Sequence, residues 1–186
     1  VKKIVELCKQ NKLIAVLDDG YSFVNSNAAF DSLYTSGRIL DKYNFVRDTN
    51  FVYGYSQHGT EVLSTMAVYL PNTYVGAAPL AQYALYITED NTSEQVVEMD
   101  NMIAGFERAD SIGADVVSTS LGYNTFFGPT FYSIPQAQLD GKTTIAAKAA
   151  NMATSKGMLM IITAGNEGGG GLLTPGDADS ALTIGN

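Results

Sequence analysis

Four polar residues lie where the sequence predicts that a strand ends or a helix begins, and their side chains suit acyl transfer. Asp18 and Asn166 each follow a run of apolar residues, and Ser120 follows a shorter one. His58 opens a helical pattern after a polar loop. A carboxylate can orient an imidazole, which then acts as a general base. A side-chain amide can donate a hydrogen bond to a developing oxyanion.

Each of these residues also has an ordinary structural explanation when it is taken alone. An Asp at the end of a strand commonly forms a turn, as does the Asn of an Asn-Glu-Gly sequence. A His at the start of a helix is more often structural than catalytic. Asp19, beside Asp18, could serve the turn and leave Asp18 for chemistry. The catalytic interpretation therefore depends on whether the fold brings these residues together.

The elements that would position these residues alternate between apolar blocks and helical patterns, which is typical of a parallel α/β sheet. We predict strands over 13–17, 82–88, 115–118, 158–163 and 181–184, and helices over 58–70, 93–112 and 143–156. These define a doubly wound, mostly parallel sheet with helices on both faces, incomplete at its C-terminus. Ligands bind at the C-terminal ends of such strands, so Asp18, Ser120 and Asn166 are expected in one cleft.

Local patterns add detail to this prediction. Val62, Met66 and Tyr69 share one face of the first predicted helix. Residues 92–95 (Thr-Ser-Glu-Gln) fit a capping box for the second helix. The aromatic segment 123–141 interrupts the alternation, and it could either line the cleft or pack over the surface of the domain.

Composition argues against several classes of function. The 186 residues suit one domain, and the net charge of −8 argues against a nucleic-acid partner. No apolar run approaches the length of a membrane span. With one Cys and one His, a zinc site would need mostly carboxylates, which zinc rarely accepts. A nucleotide-binding domain shares the predicted fold class, but no glycine-rich turn follows the first strand.

Four short segments occur in the order typical of one peptidase family. They are 17–20 (Leu-Asp-Asp-Gly), 58–60 (His-Gly-Thr), 118–122 (Ser-Thr-Ser-Leu-Gly) and 164–168 (Ala-Gly-Asn-Glu-Gly). In this order and context they resemble the subtilase family of serine peptidases, from about Leu13 to the end of the chain. Residues 31–46, 62–66 and 140–144 further resemble the subtilases of Bacteroidetes, which are typically exported.

The resemblance implies a role for each matched residue. Asp18 matches the Asp of the catalytic triad, His58 the general base and Asn166 the oxyanion donor. The segment that pairs with an extended substrate is matched by Ser120, Leu121 and Gly122. One wall of the pocket for the residue before the scissile bond is matched by Thr163, Ala164 and Gly165. Small residues in this wall leave room for a large side chain.

Asp19 departs from many subtilases, which have Ser or Thr after the catalytic Asp. The dibasic-specific kexin branch also carries Asp-Asp-Gly. The resemblance therefore implies that Asp19 contributes to substrate binding by selecting Lys or Arg beside the cleavage position. A role in turn geometry is the alternative.

The nucleophile of the family does not match any residue of this chain. The family places it in a Gly-Thr-Ser segment, which this sequence lacks, and the resemblance gives Ser120 a substrate-pairing role instead. We therefore expect residues 1–186 to be part of a subtilisin-like peptidase domain, inactive alone because the triad acts as a unit. Its own C-terminal fragment would then supply the Ser. The alternative is a non-catalytic subtilase-like domain that binds peptides.

No cofactor and no metal site are predicted. The position where the family often has a calcium-ligating Asp falls near Ala29, and the loop 67–79 offers only Asn72 and backbone carbonyls. Calcium requires six to eight oxygen ligands, so we do not predict calcium at the usual family site. The expected partner is a peptide or protein substrate. The resemblance implies a secreted, cell-surface or periplasmic location. The Lys-rich segment 1–11 does not match what is expected before the first strand of the family.

Overall fold

The computed structural model describes residues 12–127 and 131–185, so the Lys-rich segment 1–11 lies outside the described residues. Within these described residues, four α-helices and ten strands follow one another: β1 Leu13–Asp18, α1 Asp31–Thr35, β2 Ile39–Asn44, α2 His58–Ala67, β3 Tyr69–Leu70, β4 Tyr74–Val75, β5 Gln82–Ile87, α3 Val97–Ser111, β6 Val116–Thr119, β7 Thr125–Phe126, β8 Tyr132–Ser133, α4 Ile145–Ser155, β9 Leu159–Thr163 and β10 Leu182–Ile184. Short 3₁₀ turns lie at Ala28–Phe30, Gln136–Gln138 and Gly168–Gly170.

Six of these strands form one parallel sheet in the order β10-β9-β6-β1-β5-β2. Strand β1 lies in the middle of the sheet. The next sheet strands along the chain, β2 and β5, extend the sheet on one side, and β6, β9 and β10 extend it on the other. Leu17, Thr119 and Ile162 lie side by side in the register of β1, β6 and β9. The predicted doubly wound α/β sheet is therefore confirmed, and the segments that follow these three strands leave from the same edge.

Helices cover both faces of the sheet, as predicted. Along β1, Leu13, Ala15 and Leu17 pack on the face covered by α3 and α4. Ile14 and Val16 pack on the opposite face, which α2 covers. Because the side chains on both faces of β1 are buried, its sequence is an unbroken apolar run rather than an alternation of apolar and polar residues.

The edge strand β2 was not predicted from the sequence. Its residues, Ile-Leu-Asp-Lys-Tyr-Asn, mix charged with apolar side chains, and most are only partly buried. The strand is held by its pairing with β5 and by Asp41, whose carboxylate accepts two hydrogen bonds from Arg108 at 2.7 and 2.9 Å. A strand whose polar side chains are used in this way does not show the apolar pattern of a buried strand.

Two local predictions about helices were wrong. The segment 92–95 does not cap α3, which begins at Val97. Glu98, inside the helix, instead accepts hydrogen bonds from the backbone N–H groups of Gln95 (2.8 Å) and Asp90 (3.1 Å). Tyr69 lies in β3 after the end of α2 and is 44% exposed. The fully buried residues of α2 are Gly59, Leu63 and Ala67, whereas Val62 and Met66 of the predicted face are partly buried against the same core.

The aromatic segment after β6 divides between the interior and the surface. Tyr123 and Phe126 are buried in the core with α3 and α4. Phe127 and Phe131 are 63% and 66% exposed, and their rings contact each other. Among the described residues, no helix is long and apolar enough to cross a membrane.

Candidate active site

A hydrogen bond joins the end of β1 to the start of α2. His58 Nδ1 lies 2.6 Å from Asp18 Oδ1. The Asp18 side chain is completely buried, whereas the His58 side chain is 47% exposed. The pair thus holds a carboxylate inside the protein and presents an imidazole to the surface.

Glycine at position 59 allows this close approach. An added Cβ at Gly59 would lie 2.4 Å from the backbone oxygen of Gly20 and 2.8 Å from Asp18 Cβ. Any larger residue would therefore push the first turn of α2 away from β1. Thr60 fixes the same turn, because its hydroxyl donates a 2.7 Å hydrogen bond to the backbone oxygen of Ser22.

The surroundings of this pair change the pKa of both groups. Burial raises the pKa of Asp18 to about 6, and the hydrogen bond from His58 opposes that effect. The hydrogen bond to Asp18 raises the pKa of His58. Asp18 Oδ2 is buried without a hydrogen-bond partner among the described residues, so the imidazole is a main stabiliser of this carboxylate. In return, Asp18 makes the imidazole easier to protonate.

The segments predicted to bind substrate leave the sheet beside this pair. Residues 120–122 follow β6, which neighbours β1, and residues 163–166 follow from β9, which neighbours β6. Neighbouring strands lie about 5 Å apart. The segment after β6 therefore starts roughly 5 Å from the level of Asp18 in the sheet, and the segment after β9 starts roughly 10 Å from it. Ser120, Leu121 and Gly122 are partly buried there. This topology therefore brings the segments that follow β1, β6 and β9 to one edge of the sheet, as the sequence predicted.

Asn166 is exposed and lies at an open recess beyond the end of β9. The recess is lined by Ala164, Gly165, Asn166, Gly168, Gly171, Leu172 and Gly185. Within the described part of the chain the Asn166 amide makes no hydrogen bond, which leaves its N–H groups able to bind an incoming oxygen. Thr163 Oγ1 accepts a 3.1 Å hydrogen bond from the backbone N–H of Gly165.

Asp19, the neighbour of Asp18 in the sequence, lines a small recess. Glu89 and Asp90 line the same recess, together with Arg47, whose guanidinium lies 3.6 Å from Asp90 Oδ2. Asp19 Oδ1 is buried and has no hydrogen-bond partner among residues 12–127 and 131–185. The negative charge of Asp19 is one of the smaller causes that raise the pKa of His58.

A second acidic cluster was not foreseen from the sequence. Carboxylate oxygens of Glu89, Glu94 and Glu98 lie within 4.8 Å of one another, a spacing that would suit a cation. The Tyr123 hydroxyl donates a hydrogen bond to the carboxylate of Glu89. Burial raises the pKa of Glu89 to about 8 and that of Glu98 to about 7. The only signal in the sequence was the position of Glu89 after a buried strand.

The described residues could hold a cation at one other place, formed by Asp18, Asp19 and His58. The hydrogen bond between Asp18 and His58 explains that grouping without an ion. Near Ala29 and Asn72 the described residues form no such cluster. The expectation that no calcium binds at the usual family position stays a prediction.

Comparison with solved structures shows that peptidases share this fold. The prenylagaramide maturation protease PagA superposes with a TM-score of 0.65 at 19% identity, over 98% of this chain and 57% of that one. The self-cleaved protease domain of PatA gives a TM-score of 0.63 at 22% identity, over 94% of this chain and 57% of that one. The chain thus spans less than three-fifths of the length of either neighbour.

The sequence itself gives the family assignment. No curated protein matches it. The family model of the subtilases (peptidase S8), however, matches residues 9–186, which include the whole six-stranded sheet, the Asp18–His58 pair and Asn166. The chain therefore belongs to the subtilase family.

Proposed function

We propose that this chain supplies the acid–base part of a serine endopeptidase that cleaves peptide bonds by acyl transfer. The observation that supports this most strongly is the 2.6 Å bond between the buried Asp18 and the half-exposed His58. A buried carboxylate that is hydrogen-bonded to an imidazole holds the ring in one orientation. It also stabilises the protonated ring, so the imidazole can gain and then lose a proton. The nucleophile is a serine outside this sequence, which contains no Gly-Thr-Ser.

In the proposed reaction, the serine oxygen attacks the carbonyl carbon of the scissile bond. The free ring nitrogen of His58 accepts the serine proton, while Nδ1–H donates to Asp18, which stabilises the imidazolium. The Asn166 amide donates a hydrogen bond to the oxyanion that forms. His58 then gives the proton to the leaving amine, and water releases the acyl group by the same steps in reverse.

The substrate lies along the segments that follow β6 and β9. An extended peptide adds a strand beside Ser120, Leu121 and Gly122, with main-chain hydrogen bonds as the source of affinity. Asp19 binds Lys or Arg beside the cleavage position, which the resemblance of Asp18-Asp19-Gly20 to the dibasic-specific kexin branch supports. A secreted or cell-surface site of action belongs to the same proposal and is supported by the resemblance to exported subtilases.

The test measures hydrolysis of internally quenched peptides by this chain together with the polypeptide that carries the serine. Asp18→Asn should lower kcat by about 10⁴, the loss typical of this change in a serine peptidase. Asp31→Asn, which alters an exposed Asp at the start of α1, is the matched control and should leave kcat unchanged. Peptide binding without hydrolysis would instead favour the non-catalytic peptide-binding domain.

A further inference from the structure

Two loops that leave the sheet on either side of β1 are joined to each other. Residues 89–96 lie between β5 and α3, and residues 123–127 follow β6. Strands β5 and β6 are the two neighbours of β1, so both loops start at the same edge of the sheet. The Phe127 N–H donates a 2.7 Å hydrogen bond to the backbone oxygen of Glu94. The joined loops therefore adjoin the segment 120–122, which runs directly into residues 123–127.

Tyr123 connects the same two loops through its side chain. Its hydroxyl donates to the carboxylate of Glu89 and lies 3.2 Å from the backbone oxygen of Glu98 in α3. The Tyr123 ring is buried, and its backbone exchanges hydrogen bonds of 2.7 and 3.1 Å with Thr174. Because Tyr123 directly follows Gly122, these contacts fix the end of the segment proposed to pair with substrate.

The carboxyl groups around this hydroxyl are crowded together. Oxygens of Glu89, Glu94 and Glu98 lie within 4.8 Å of one another. Glu89 and Glu98 are buried, so water screens little of the repulsion between their charged forms. Burial and the neighbouring carboxyl groups raise the pKa of Glu89 to about 8, and burial raises the pKa of Glu98 to about 7. The cluster therefore retains protons near neutral pH, and a rise in pH places like charges side by side.

The other charged groups near the cluster do not neutralise it. Arg47 lines a recess together with Glu89, but its guanidinium is paired with Asp90. The charge of Asp90 adds to the repulsion that raises the pKa of Glu98. Asp19 lines the same recess and carries a charge of the same sign. Ionisation of the cluster is therefore relieved by movement of its carboxylates apart and into water.

We propose that Tyr123 is a positioning residue for the segment 120–122, and that the acidic cluster releases it when the cluster loses its protons. This inference rests on the proposed function, in which that segment binds an extended peptide. Ionisation favours an open form, in which residues 89–96 separate from residues 123–127 and Glu89 is hydrated.

The direction and size of the effect follow from the proton of Glu89. The closed form holds this proton more tightly than the open form, so it is favoured at low pH and is lost as the pH rises toward about 8. Between the ordinary and the folded pKa, each pH unit shifts the balance toward the open form by up to about tenfold. Because substrate binds the closed form, KM rises with pH once the open form is populated.

The first test measures KM for a long, internally quenched peptide with this chain and its serine-bearing polypeptide. From about pH 6 to about pH 8.5, KM of the unmodified enzyme relative to Glu89→Gln should rise by about tenfold or more, with the ratio of kcat values unchanged. Both enzymes contain His58, so its titration cancels in the ratio. Tyr123→Phe removes the hydroxyl and should raise KM even at about pH 6, whereas Tyr132→Phe, at an exposed tyrosine, should not.

The second test needs no catalysis by this chain. Chymotrypsin cleaves after aromatic residues, and Phe127 is exposed beside the contact between the two loops. Cleavage at Phe127 in the unmodified chain relative to Glu89→Gln should increase about tenfold across the same pH range, because cleavage follows the population of the open form. Cleavage at the exposed Phe23 and Phe51 should not increase, which distinguishes local opening from unfolding of the whole chain.

The outcomes separate this inference from the proposed function. A KM ratio that stays constant with pH would overturn the inference and leave the peptidase function standing. Equal pH dependence of cleavage at Phe127 in both chains would also overturn it. If Tyr123→Phe does not fold, Glu89→Gln still decides, since Gln keeps an acceptor for the hydroxyl. Hydrolysis by none of the enzymes would overturn the proposed function and the positioning role with it, while the chymotrypsin experiment would still test the opening.

Discussion

Replacing Glu89 by Gln should remove a large part of the pH dependence of folding. In the folded chain, burial raises the pKa of Glu89 to about 8 from an ordinary value of 4.5. The folded state therefore binds this proton more tightly than the unfolded state does. The stabilisation is fully present below about pH 4.5 and is lost as the pH rises through the folded pKa. Gln cannot ionise, yet its carbonyl oxygen can still accept the hydrogen bond from Tyr123.

The magnitude follows from the difference between the two pKa values. At pH values between the ordinary and the folded pKa, the ionisation of Glu89 lowers the free energy of unfolding by about 1.4 kcal/mol per pH unit. From about pH 5.5 to about pH 7.5 the unmodified chain should therefore lose about 3 kcal/mol relative to Glu89→Gln. Glu89 is only 9% exposed, so solvent screens little of this effect. Such a loss is a substantial part of the stability of a single domain.

Urea denaturation across this pH range measures the effect directly. The difference in unfolding free energy between Glu89→Gln and the unmodified chain should grow with pH in favour of the variant. Glu107→Gln is the matched control, since Glu107 is an exposed carboxylate in the same helix α3. Parallel curves for the variant and the unmodified chain would refute the account of the buried cluster.

Two further predictions concern the Asp18–His58 pair. Asp18→Asn should lower the pKa of His58, because the hydrogen bond to the carboxylate raises it; His58 is the only histidine, so its NMR titration is unambiguous, and an unchanged pKa would contradict the pairing. Gly59→Ala should destabilise the chain by about 1–3 kcal/mol through overpacking against Asp18. Gly169→Ala, where an added Cβ meets open space, is its control in the same denaturation experiment.

The elements that could be predicted best from the sequence are those whose residues share one environment. The apolar run of β1 could be recognised because a strand covered on both faces has no polar side to alternate with. Its end at Asp18 followed from that pattern, and the start of α2 at His58 followed from the helical pattern after a polar loop. The parallel topology then placed the two at one edge of the sheet. The family motifs added the order in which the segments occur.

The features that the sequence did not show depend on contacts between distant residues. β2 escaped recognition because its polar residue Asp41 is paired with Arg108 of the helix α3. The start of α3 was placed too early because Glu98, from inside the helix, takes the hydrogen bonds assigned to the segment 92–95. No local pattern marks Leu173 as the residue between Gly122 and Gly165, since its position is set by backbone hydrogen bonds to Ala164 and, through Thr174, to Tyr123.

The identity of the nucleophile tests the central claim most directly. A fluorophosphonate probe forms a stable adduct with an activated serine, and intact-protein mass spectrometry shows which polypeptide carries it. In a sample that contains this chain and the serine-bearing polypeptide, we expect an adduct outside this sequence that is lost in His58→Ala. An adduct on Ser120, or labelling that survives His58→Ala, would contradict the assignment of Asp18 and His58 as the acid–base pair of a serine peptidase.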